Sequence, residues 1–281
     1  MEVFSDSSFF QERRAPSLPS PKEIRAMSRA TGSTRATSFD RPPPVTIPSL
    51  GLLVKYGGDV GKNEAQTQRA MHSILQGQVP IPEVFGWTED EGQGFIYMSL
   101  IDGEILQERW VAMSEFERQS VCHELKHMAK AWRTLEQAKR DPYVGSWDKK
   151  PLNDILLAER RELVGPFRCA DAVRQFHAAC GIDIVGEEPI TFTHNDLVPP
   201  NIILSRGPNP RVRAIIDWGQ AGWYPAYWEY CKARWVRLAP ESFSDAVQEE
   251  WHTRYLPSIL DPVDDEARYH PWLYFVLSKG I

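Results

Sequence analysis

The spacing of apolar residues divides the chain into three stretches. Residues 1–40 carry scattered apolar positions with no period and are rich in Ser and Arg. They are expected to be largely disordered, apart from one short helix over Pro21–Arg29. Arg41–Pro44 (RPPP) is an extended connector. A β-rich stretch follows. Ser49–Tyr56 reads as a short strand ended by Gly57-Gly58, and Asn63–Gln76 has helical spacing. Val79–Trp87 is held extended by its prolines, Glu89–Gly94 is a hairpin turn, and Phe95–Ile101 is a buried strand broken by Asp102-Gly103. Beyond this the pattern becomes helical. Val121, Leu125, Met128, Trp132 and Leu135 form one stripe of a helix from Ser114 to about Lys139, with Ser114 and Glu117 as its capping box. Further helices are predicted near Pro151–Leu163, Asp171–Cys180, Tyr227–Leu238 and Phe243–Leu256. The expected fold is α+β and two-lobed, with a small β-rich N-lobe over 41–101 and a mostly helical C-lobe over 102–281.

The most informative segment is Phe192–Asp217, FTHNDLVPPNIILSRGPNPRVRAIID. Asn201–Ser205 and Val212–Ile216 are two β-type runs separated by the turn-rich Arg206–Arg211, so they are predicted to pair as a hairpin. Pairing puts Asn201, at the start of one arm, beside Asp217, at the end of the other. His194 and Asp196 lie on the loop that feeds the first arm. Three oxygen-bearing side chains, Asp196, Asn201 and Asp217, therefore converge. Phosphoryl transfer asks for such a group: oxygen ligands for Mg²⁺ beside the phosphates, and a separate carboxylate to orient the acceptor hydroxyl and take its proton. The spacing H-x-D-x-x-x-x-N with a later D-x-G matches the catalytic and metal loops of the kinase fold.

His194-Asn195-Asp196, Pro200-Asn201 and Ile216-Asp217-Trp218 together resemble the aminoglycoside phosphotransferase and choline kinase superfamily. Gly222–Lys232 (GWYPAYWEYCK) resembles a signature of its fungal branch, and Val54–Gly57, Val79–Trp87, Phe95–Gly103, Gly165–Phe167 and Trp272–Leu277 are similar to other segments of that branch. The resemblance runs from about Pro21 to the C-terminus. It implies a protein-kinase-like fold and an ATP- and Mg²⁺-dependent transfer of phosphate to a hydroxyl of a small molecule. It implies Asp196 as catalytic base, with His194 bracing the catalytic loop, and Asn201 and Asp217 as Mg²⁺ ligands. Lys55 would contact the ATP phosphates and pair with Glu64, and the backbone near Met98–Leu100 would meet adenine. Two positions depart from the pattern. No G-x-G-x-x-G precedes Lys55, with only Gly51 nearby, and Gly219 stands where related proteins often carry an acidic residue. A catalytically weak or inactive kinase-like binding or scaffold protein is the alternative reading. A protein kinase fits less well, because no A-P-E follows Asp217.

Composition narrows the partners. Charged residues make up 25% of the 281 positions and the net charge is −6, which gives no general attraction to nucleic acid or an anionic membrane. No apolar run reaches the length of a membrane span, and the N-terminus has no signal-peptide core. The four cysteines show no C-x-x-C spacing, so reduced thiols in the cytoplasm are expected. His123–His127 (HELKH) fits the H-E-x-x-H zinc-protease pattern, but both histidines fall opposite the apolar stripe of their helix, and the pattern supplies no third ligand.

Overall fold

A computed structural model describes residues 1–138, 141–158, 160–241 and 243–278. It resolves into two compact units, Met1–Gln76 with Pro80–Asp102, and Gly77–Val79 with the chain from Gly103 onward.

The first unit is built on an antiparallel five-stranded sheet. Its elements are β1 (Glu2–Val3), α1 (Ser8–Gln11), α2 (Pro21–Ala30), β2 (Val45–Ile47), β3 (Leu52–Gly57), α3 (Lys62–Ile74), β4 (Val84–Asp90) and β5 (Gln93–Ser99). The strand order is β1-β4-β5-β3-β2. Alternation along β3 and β5 decides what covers each face. Leu52, Val54, Tyr56, Phe95 and Tyr97 pack on one side, whereas Ile96 and Met98 pack on the other with Ala65 of α3. Because β5 is apolar on both sides, both faces need a cover.

Residues 1–40 supply the second cover, which corrects the expectation of disorder. Phe9, Leu18 and Ile24 are buried against the Leu52 and Phe95 face. Glu2 and Val3 pair with Trp87 and Gly86 of β4. Helix α2 starts with a capping box between Ser20 and Glu23. Arg25 of α2 clamps the β4–β5 turn through Asp90 (2.5 Å) and Gln93 (2.8 Å). Sparse apolar residues sufficed here because each is large and meets a face already waiting for a lid.

The second unit contains β6 (Glu104–Ile105), α4 (Leu106–Arg109), α5 (Glu115–Arg133), β7 (Tyr143–Ser146), β8 (Phe167–Arg168), α6 (Ala172–Cys180), β9 (Ile190–Thr193), β10 (Ile202–Leu204), β11 (Val212–Ile215), β12 (Gly222–Pro225), α7 (Trp228–Trp235), α8 (Asp245–Glu250), α9 (Leu256–Ile259) and α10 (His270–Ser278). The Ser114–Glu117 capping box opens α5, and Val121, Leu125, Met128 and Trp132 are buried along it. The helix stops at Arg133, short of the expected end at Lys139, which itself lies outside the described residues, as do the last three positions of the expected C-lobe. Among the described residues of the expected helix Pro151–Leu163, only a 3₁₀ turn over Arg161–Leu163 is helical. The Asp154 carboxylate takes the Leu156 N–H (2.9 Å), a local bond that competes with helical pairing.

Strands β8-β7-β12-β9 make a four-stranded sheet that the helical reading of this half did not contain. Gly222 permits it, since a Cβ there would meet the Gly145 carbonyl oxygen at 2.8 Å. Two π-helical turns, Trp251–Tyr255 and Asp265–Tyr269, lie just before Pro257 and Pro271. A proline has no N–H to give the carbonyl four residues back, and the wider turn absorbs that loss. The core of this unit gathers around Trp228, Trp272, Phe176 and Phe275.

Candidate active site

The hairpin of β10 and β11 sets the geometry. Ile202 pairs with Ile215, and the Ile216 N–H donates to the Asn201 carbonyl (3.0 Å), so Asn201 and Asp217 leave the two arms side by side. Asn201 Nδ2 donates to both the carbonyl oxygen and Oδ2 of Asp196, each at 2.9 Å. Spending the amide N–H₂ on Asp196 fixes the amide orientation and leaves Oδ1 as its acceptor atom. Asp217 lies within electrostatic reach of both Asp196 and His194. The structure thus brings Asp196, Asn201 and Asp217 together at one end of the hairpin.

His194 is fully buried, and burial pushes its pKa down, so the ring is neutral near pH 7. Its Nε2 lies 3.0 Å from the Ile216 carbonyl oxygen, which can only accept, so Nε2 carries the proton. Nδ1 is then an acceptor and receives the Asp196 N–H at 3.3 Å. Both nitrogens are used, which makes His194 a brace between the two loops. Trp218 packs edge-on against the His194 ring at 4.6 Å. Asp196 is half-buried; burial raises its pKa, while the Lys232 charge and the Asn201 hydrogen bond work in the opposite direction. The net rise makes its carboxylate a stronger base than a solvated one. Asn195 and Asp217 are both left-handed, with φ of 63° and 65°. Such conformations cost roughly 1–3 kcal/mol in non-glycine residues and persist only where neighbours enforce them.

Those neighbours were not identified as site residues from the sequence. Glu229 of α7 accepts the backbone N–H groups of His194 (2.7 Å) and Asn195 (3.1 Å), and also Arg133 (3.2 Å). The two basic residues of α7 itself bond elsewhere: Arg234 bonds Asp265, and Lys232 bonds Asp154. The Asp154 carboxylate accepts from Asn195 Nδ2 (2.7 Å), the Trp228 indole (2.9 Å) and Lys232 (2.7 Å). A lone Asp in PLNDILLA gives no sign of this role, because the partners that tie it to the site lie 41 to 78 positions away.

Within the first unit, Lys55 reaches Glu64 of α3 at 2.6 Å, with Glu64 buried and Lys55 half-buried. Met98 lies in β5 opposite Leu53 and Val84. The Leu100 N–H is committed to the Gly51 carbonyl (2.9 Å), so an adenine contact at Leu100 would have to use its carbonyl oxygen. The link between β2 and β3 is a single tight turn, Pro48–Leu50, closed by Gly51 in the left-handed region, and no longer phosphate-covering loop stands before Lys55. His123 and His127 face solvent with their Nε2 atoms 3.0 Å apart, and His123 borders a cavity of about 410 Å³ that contains none of the residues above.

The residues present fit a hard divalent cation shared with phosphates. The donors are one amide oxygen and one carboxylate, and Mg²⁺ keeps several waters and takes the remaining ligands from phosphate oxygens. Among the described residues no cluster of three or more His, Cys, Asp or Glu side chains forms a self-sufficient metal cage.

No curated protein matches the chain significantly by sequence. Among solved structures, it is similar to apo aminoglycoside phosphotransferase APH(4)-Ia in a thermostable form, at 16% identity and TM-score 0.51 over 83% of this chain and 79% of that one. It is similar also to a protein assigned as an aminoglycoside phosphotransferase from Ralstonia eutropha JMP134, at 16% identity and TM-score 0.50 over 86% and 78%. At this identity the likeness concerns the fold, the kinase-like fold of aminoglycoside phosphotransferases, and α+β is the class found. The profile of the phosphotransferase enzyme family, APH, matches residues 60–272, which span the β10–β11 hairpin and all three converging oxygen-bearing side chains, and the chain belongs to that family.

Proposed function

We propose that this protein transfers the γ-phosphoryl group of ATP to a hydroxyl of a small molecule, with Mg²⁺ as cofactor. The observation that carries the proposal is the convergence of Asp196, Asn201 and Asp217 at one end of the β10–β11 hairpin, in a chain of the phosphotransferase family. Asp196 is assigned to orient the acceptor hydroxyl and accept its proton, a task favoured by its raised pKa. Asn201 and Asp217 would hold Mg²⁺, which when bound supplies charge neutralisation of the phosphates. His194 keeps the two loops in register, and Lys55, oriented by Glu64, is assigned to the nucleotide phosphates. The acceptor is a small molecule of unassigned identity. No described helix is long and apolar enough to cross a membrane.

The test is ATP turnover measured across a panel of small hydroxyl compounds, with and without EDTA. Asp196→Ala is expected to lower turnover by ~10²–10⁴-fold while the protein stays folded by circular dichroism. Undiminished turnover in EDTA would remove the cation from the scheme. A second reading, a binding protein on the same fold, draws on the tight Pro48–Leu50 turn and on Gly219. It predicts no turnover against any acceptor and no rise in melting temperature with Mg-ATP, whereas a true nucleotide site raises it.

A further inference from the structure

We infer that the buried Asp154–Lys232 pair is a positioning device that ties the catalytic loop to the metal loop. What those loops do rests on the phosphotransfer reading above; that they are tied together does not. Asp154 and Lys232 are 0% and 2% exposed, and their charges meet at 2.7 Å. A buried ion pair kept only for stability could be exchanged for apolar residues at little cost. This pair also hydrogen-bonds directly to side chains of both loops.

Towards the catalytic loop, Asp154 Oδ2 accepts from Asn195 Nδ2 at 2.7 Å, holding the left-handed residue that precedes Asp196. Towards the metal loop, Lys232 donates to Gln220 Oε1 at 2.6 Å, three residues after the left-handed Asp217. The two arms also meet directly, since Asn195 Nδ2 lies 3.4 Å from the Gln220 carbonyl oxygen. The segment carrying Asp154 adds two more ties: Asn153 Nδ2 donates to the Gly219 carbonyl (2.9 Å) and the Ile155 N–H to Gln220 Oε1 (2.9 Å). The strained Asn195 is thus itself fastened to the buried pair, and Asp217 has Gln220, three residues on, fastened to it, which is the arrangement needed to keep such backbone in place.

Hydrogen–deuterium exchange of the full chain without nucleotide tests the tie independently of any activity. Asp154→Asn keeps the shape but removes the charge. It is expected to raise exchange by roughly tenfold or more in peptides covering 194–197 and 216–222, with α5 and β9 retaining wild-type protection. Unchanged exchange in both loops, or a rise spread evenly over the whole unit, would overturn the inference. Should Asp154→Asn not fold, Gln220→Ala decides the matter. It is expected to loosen 216–222, whereas Gln220→Glu, which still accepts from Lys232 and Ile155, keeps it protected. Loosening by both or by neither rejects the tie. Binding of Mn²⁺·ADP, read by electron paramagnetic resonance, supplies the functional arm. Gln220→Ala should weaken it about tenfold relative to Gln220→Glu, a difference that a merely structural loss would not follow. If wild-type protein binds no Mn²⁺·ADP, the phosphotransfer reading fails, while the exchange result still decides the tie.

Discussion

Lys55–Glu64 and Lys232–Asp154 are the same chemical pair placed in two different settings. In the first unit the ammonium is 30% exposed and its carboxylate partner sits on a helix behind it. In the second unit the ammonium is 3% exposed, the carboxylate is fully enclosed, and loop backbone and side chains consume what hydrogen-bonding capacity remains. A half-exposed lysine can still offer a charge to an incoming anion. An enclosed one has already committed its charge to the fold. Burial, more than residue type, separates a group suited to contacting ligand from one suited to holding a loop.

The comparison breaks first at Lys232. Lys232→Met strands the Asp154 charge in the interior and is expected to cost ~3–5 kcal/mol in urea denaturation; a cost near zero would mean the pair is not the anchor described. Acid sharpens the contrast next. In the second unit, burial pushes His177 down to about 4, with Arg268 adding to the effect, and pushes His252 down to about 4 with help from Arg237 and Arg234. Folded values below the ordinary 6.5 mean that the unfolded chain binds these protons more tightly. Their stabilisation is therefore full above about pH 6.5 and is lost as pH falls towards 4. His177→Gln should flatten the fall in unfolding midpoint across that window by one proton's worth of slope, and an unaltered slope would reject the assignment. The smallest stability effect is expected at Lys55. Lys55→Met takes a charge partner from the buried Glu64 and should cost ~1–3 kcal/mol, and under the proposed function it should abolish most of the melting-temperature rise given by Mg-ATP. Retention of the full rise would separate Lys55 from nucleotide.

What could be read from the chain follows from the range of the interactions. The hairpin was legible because two short β-type runs flank a six-residue stretch of turn formers, Arg206–Arg211, and the H-x-D-x-x-x-x-N spacing fixed which side chains it would gather. The α5 cap was legible because Ser114 and Glu117 are three residues apart. Asp154 and Glu229 were not, since their meaning comes from loops 41 and 35 positions away. The N-terminal cover was missed for a related reason: Phe9, Leu18 and Ile24 have no period of their own, and their destination is a sheet face made by residues 45–97. The end of α5 was misplaced because Leu135 continues the stripe after the helical hydrogen bonds have ended at Thr134.

The five-stranded sheet finishes in very short strands on both sides. Beyond β4 lies only Glu2–Val3, and beyond β3 only Val45–Ile47, entered through Pro42-Pro43-Pro44. Long bare margins of a sheet invite other chains to add strands, whereas stubs of two or three residues next to prolines give such growth little to build on. By laying its first residues along β4, the N-terminal segment also guards the folded protein against intermolecular β-aggregation.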